Sequence, residues 1–125
     1  MSSAMTNIGG HHPLVFDVVR TNIGNAFHQS TGAFIVPQTG LYVFTWSVRV
    51  TSGSYHCVEL VVNGKVEGAV YQHSTSSEDD QGGSTIVIQA NEQDDVFLRT
   101  KLGSNNGPIY SSPYGFPSFA GWKLN

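Results

Sequence analysis

Positive charge is scarce in this chain, and paired cysteine is absent. Six Lys and Arg residues are scattered from Arg20 to Lys123, and the net charge is −3. Nucleic-acid binders need a basic patch to displace counterions, so that class is excluded. A polybasic membrane-surface segment is excluded on the same ground. No apolar run approaches the roughly 20 residues of a membrane-spanning helix, so no membrane insertion is expected. The single cysteine, Cys57, rules out an intrachain disulfide. A domain of this length buries roughly two-thirds of its unfolded surface and folds without a bridge or metal. There is no Gly-x-y repeat and no heptad pattern, hence no stalk within the chain. Residues 1–12 lack the basic start, apolar stretch and small-residue site of a signal peptide. They read as a flexible leader ahead of one domain, 13–125. Charged residues make up 12% of the chain, about half the ~25% usual for soluble domains. Either another subunit covers part of the surface, or the exterior is rich in Ser, Thr, Gln and Asn.

Apolar residues fall in runs of about five to ten, separated by clusters of Gly, Ser, Asn, Asp and Pro, which is the pattern of an all-β sandwich or barrel. The expected strands are 13–20, 32–36, 41–51, 55–62, 65–72, 83–90, 95–102, 108–111 and 118–124. Asn63-Gly64 tolerates positive φ at both central positions of a tight type I′ hairpin. Along 41–51, Tyr42, Phe44, Trp46, Val48 and Val50 share one face and belong between two sheets. The other face, Leu41, Val43, Thr45, Ser47 and Arg49, drifts from apolar to polar. Segments 13–20 and 55–62 are apolar on both faces, with Val58, Leu60 and Val62 opposed by Tyr55, Cys57 and Val61. Strands of that kind are covered on both sides, and a neighbouring subunit is the economical cover.

Phe16, Asn22, Phe27, Phe34, Gly40, Tyr42 and Phe44 stand at the spacing of the complement C1q-like globular domain signature. Trp46 replaces the usual Phe or Tyr. Asp94-Asp95-Val96-Phe97-Leu98 resembles the family's Gly-Asp-x-Val-x-Leu strand, with Asp94 in place of Gly. Ser118-Phe119-Ala120-Gly121-Trp122-Lys123-Leu124 is similar to its closing Ser-x-Phe-x-Gly-aromatic-x-Leu strand. The resemblance spans 13–125. It implies a ten-stranded jelly-roll β-sandwich related to tumour-necrosis-factor-like domains, assembled as a homotrimer. It also implies a secreted, extracellular setting, and it resembles stand-alone invertebrate C1q-domain proteins of innate immunity that bind microbial sugars.

Catalytic constellations are not legible. There is no Gly-x-Ser-x-Gly elbow, and Cys57 lies in an apolar strand where a thiol behaves as a small hydrophobe. His28 and His56 sit at element edges, and no two of His11, His12, His28, His56 and His73 share zinc-ligand spacing. Glu59 and Glu67 flank a hairpin and read as solvent-facing or interface residues rather than a glycosidase pair. The chain is therefore expected to be non-enzymatic, with no required cofactor. Calcium suits hard oxygen ligands in a loop, and some relatives bind it in the region aligned with 72–80. Asp79, Asp80 and Gln72 are accordingly the candidate ligands, against a plain solvated acidic loop.

Ligand contact belongs to loops on such a scaffold. If strands simply alternate in direction, the turns at 63–65, 89–94 and 111–117 share the end away from the C-terminus. Sugars stack on aromatic rings while nearby amides and hydroxyls take their OH groups. This makes Tyr114, with Ser112 and Asn106, the expected glycan contact, and His73 the alternative. The leading expectation is a lectin-like module recognising microbial or other polysaccharides. The competing one is a trimeric signalling ligand for a cell-surface receptor.

Overall fold

A computed structural model describes residues 10, 13–14, 26–28, 31–50, 52–74, 80–107, 109 and 117–124. These form eight strands and no helix: β1 (Phe27–His28), β2 (Ala33–Ile35), β3 (Gly40–Val50), β4 (Tyr55–Val62), β5 (Lys65–His73), β6 (Asp80–Ala90), β7 (Asp95–Asn106) and β8 (Ser118–Lys123). They build two antiparallel sheets, ordered β1-β2-β7-β4-β5 and β6-β3-β8, that face each other as a jelly-roll sandwich. Of the expected strand 13–20, Pro13 bridges to Arg99 and the Leu14 N–H donates to the Leu98 carbonyl; Phe16 and Asn22 lie outside the described residues. Of 108–111, Ile109 bridges to Val50. The two-residue β1 was not expected as a strand.

The alternation along β3 is the backbone of the core. Tyr42, Phe44, Trp46, Val48 and Val50 are all buried, facing Val58, Leu60, Val62, Val96 and Leu98 of the opposite sheet. The signature aromatics form one continuous contact chain. Phe27 meets Phe119 edge-on (6.1 Å), Phe119 touches Phe44 (6.3 Å), and Phe44 packs on Phe34 (5.4 Å) and stacks on Tyr42 (5.9 Å). Gly121 completes the motif for a steric reason: a Cβ there would lie 2.5 Å from the Phe44 ring. Asn63 and Gly64 take φ of 49° and 81°, as a type I′ hairpin requires. At Asp94 the side chain takes up the turn, its Oδ2 accepting from the Asn91 N–H at 2.9 Å.

β4 departs from expectation. Cys57, Glu59 and Val61, on its outward face, are buried within a single copy of the chain, between β5 and β7. Glu59 is not solvent-facing: Arg99 Nε donates to its Oε1 at 3.1 Å. A second subunit is therefore not needed to cover this strand. The face that does stand open belongs to the other sheet. There Val43 pairs with Val87 on β6 and Trp122 on β8, giving one apolar row across three strands. Val87 is 58% exposed, Trp122 50% and the neighbouring Leu124 50%. Towards the far end the same face turns to hydroxyls, with Thr85 Oγ1 donating to Thr45 Oγ1 and Ser47 hydrogen-bonded to Ser118.

Candidate functional site

Strand registers decide which loops share an end. β3 starts beside the C-terminus, since Tyr42 pairs with Lys123, and ends at Val50 opposite Asp80. Ala90 pairs with Gly40, and Val62 with both Lys65 and Val96. The turns at 63–64 and 91–94 therefore lie at the C-terminal end, contrary to expectation. The connection from β7 to β8 begins and ends at the distal end, because Asn106 pairs with Tyr55 and Ser118 with Ser47. Simple alternation failed because 108–111 was counted as a strand crossing the sandwich. Among the described residues it contributes one bridge at the distal end.

The distal end gathers most of the candidate residues. His73 and Asn106 pair with Tyr55 from opposite sides, so the three form one row across β5, β4 and β7. Asp80 opens β6 and is a strand residue by backbone, whereas Asp79, Ser112 and Tyr114 lie outside the described residues. Gln72 is buried, its side chain filling the space a Cβ on Gly82 would occupy. Among the described residues no cluster of three or more His, Cys, Asp or Glu could hold a metal ion.

Beneath these loops the core changes character. Ser54, His56, Gln72, Ser74 and Thr100 are buried there, where β4, β5 and β7 converge. His56, expected at an element edge, is fully buried. Its Nε2 donates to the Gly107 carbonyl at 2.6 Å, and Nδ1 lies 3.0 Å from Asn105 Oδ1. The Asn105 amide is oriented in turn by donation from Nδ2 to the Lys101 carbonyl at 2.6 Å. The imidazole thus ties β4 to the start of the 107–117 connection. His56→Ala takes the Nε2 donor from the part-buried Gly107 carbonyl, a loss of about 1–3 kcal/mol. Chemical denaturation should show a loss of that order, and a variant as stable as the parent would refute the tie.

The outward side of the same end holds His73, the expected alternative contact, beside two rings that the sequence did not single out as contacts. Tyr55, Tyr71 and His73 form a closed ring triangle, with centroids 6.5 Å apart for Tyr55–Tyr71, 5.7 Å for Tyr55–His73 and 6.2 Å for Tyr71–His73. Between them and the Glu59–Arg99 pair lies Cys57. Burial pushes its thiol up, Lys101 opposes this shift and Glu59 adds to it. A thiol so placed stays protonated at neutral pH and is a poor nucleophile.

The arrangement defines a class: a jelly-roll sandwich whose distinctive polar and aromatic groups crowd one end, on a rigid two-sheet scaffold. The C1q domain family model matches residues 1–124, and the chain belongs to that family. It is 31% identical over 126 residues to the Mus musculus protein named Complement C1q tumor necrosis factor-related protein 3, covering 99% of this chain and 50% of the relative. The chain thus spans about half the length of that relative. Among solved structures, the globular domain of zebrafish complement 1qA superposes with a TM-score of 0.76 at 15% identity, covering 98% of this chain and 96% of that one. The Eiger TNF structure from S. frugiperda gives 0.64 at 18% identity, covering 97% and 84%. Both likenesses are of fold.

Proposed function

We propose that this chain is a non-enzymatic, extracellular recognition module that binds glycans as a homotrimer, through the end distal to its C-terminus. The observation that carries the reading is the convergence at that end of His73, Asn106 and both ends of the connection that holds Ser112 and Tyr114. Family membership supports a recognition role. Exposed Val87 and Trp122, flanking buried Val43 in one row with exposed Leu124 beside it, support self-association, because a second copy of the same surface is their natural cover. Three shallow sites held together gain through effective concentration on a repeating polymer, although each alone is weak.

Binding in this reading requires no cofactor. An array of microbial polysaccharides and oligosaccharides, probed with purified protein in calcium and in EDTA, tests both statements. Polysaccharide capture that survives EDTA is expected, with Tyr114→Ala weakening capture while the oligomer stays intact. Capture lost in EDTA and restored by calcium would install a calcium site, for which Asp79 and Asp80 are the ligands to mutate. Failure of all glycans, with saturable binding to a cell-surface receptor, would replace the reading by the signalling-ligand one.

A further inference from the structure

We propose that Tyr55, Tyr71 and His73 form a stacking subsite for a pyranose ring of a polysaccharide, on the outward face of β4 and β5. The proposal rests on the glycan reading above and places part of the contact on strands, separate from the 111–117 connection.

Three observations carry it. The rings brace one another: His73 meets Tyr55 at 86°, while Tyr71 inclines by 41° to Tyr55 and 45° to His73. Each ring touches the other two, so little side-chain freedom remains to be lost when a ligand docks. Second, the group is open, with Tyr71 54% exposed and His73 exposed at the end of β5. Exposed aromatic side chains leave apolar faces in water, which the C–H face of a sugar can cover.

Third, the polar tips have no hydrogen-bond partner among the described residues. Buried Tyr42 donates its hydroxyl to the Gln38 carbonyl at 2.7 Å. The hydroxyls of Tyr55 and Tyr71 and the His73 imidazole make no hydrogen bond among the described residues. Aromatic residues with unused polar tips offer both a stacking face and hydroxyl-directed hydrogen bonds, the pairing a sugar needs. Asn106, opposite Tyr55 in register, stands in the same row. A protein partner fits less well, because a stable protein interface buries at least about 1,000 Å² with an apolar centre, more than three side chains provide. The subsite lies on the five-stranded sheet, so self-association through Val87, Val43 and Trp122 leaves it uncovered.

The test uses the full chain on biosensor surfaces coated with a mannan or a β-1,3-glucan, alongside its circular dichroism melt. Tyr71→Ala and His73→Ala are expected to lower apparent affinity at least tenfold on the surface that the parent binds. Tyr71→Phe, which keeps the ring, is expected to lose less than threefold. All variants should melt within a few degrees of the parent. If the parent binds and both alanine variants bind equally well, the subsite is wrong while the glycan reading stands. If the parent binds neither surface but binds other glycans on the array, the same variants are compared on those. If it binds no glycan at all, the reading and the subsite fall together.

Discussion

Trp46→Ala should unfold at markedly lower denaturant concentration than the parent, with a loss of about 3–5 kcal/mol, as is usual when a buried large aromatic is truncated. Trp46 is fully buried in the core between the sheets, its ring against Gly68. Its Nε1 is buried and has no hydrogen-bond partner among the described residues. An unpaired buried donor costs about 1–3 kcal/mol, so Trp46→Phe removes a penalty as well as some packing. The phenylalanine variant should therefore lose no more than about 1.5 kcal/mol. Equal losses for the two variants would mean that a phenyl ring recovers none of the indole's packing, against the penalty assigned to Nε1. An alanine variant as stable as the parent would contradict the core assignment.

Val87→Glu is expected to have the second large effect, on assembly rather than on the fold. Val87 is exposed in one copy and paired in register with Val43. A carboxylate at the centre of a dry interface is desolvated without a partner, and in a closed threefold assembly it is repeated three times. Light scattering should give a mass near three times 13.5 kDa for the parent and near 13.5 kDa for the variant, with a native-like spectrum in both. A monomeric parent would overturn the trimer, and a variant that stays trimeric would place the assembly surface elsewhere.

Much of the fold was legible because alternation leaves little freedom. The row Tyr42 to Val50 could face only inwards, and Asn63-Gly64 could make only a tight hairpin. The aromatic cluster at 55, 71 and 73 was hidden by one residue. A regular hairpin about Asn63-Gly64 continues from the pairs Val62–Lys65 and Val61–Val66 to place Leu60 opposite Glu67. That register turns Tyr71 and His73 inwards. The structure instead pairs Leu60 with Gly68 and Tyr55 with His73, with a bulge beside Val61. One extra residue moves every later side chain of a strand to the other face. Gly68, Val70 and Gln72 consequently face the core, and the rings face out. Gly68 marks the place for a packing reason: a Cβ there would lie 2.8 Å from the Trp46 ring. His56 was misread because local sequence cannot tell a strand edge from the buried end of a sandwich.

Self-association rests on the three-stranded sheet rather than on β4. The two-faced apolar pattern of β4 is covered within one copy, so it says nothing about a partner. The grade along the three-stranded sheet says more. Its apolar row lies near the C-terminus, while its hydroxyl-rich rows approach the distal end where ligand contact is proposed.

Dissociation from immobilised polysaccharide at graded surface density tests multivalent glycan recognition by the trimer. The parent is expected to release slowly at high density and fast at low density. Val87→Glu monomer should release fast at every density, with the same weak affinity for a soluble oligosaccharide as the parent. Release rates that are independent of density and identical for parent and monomer would contradict it.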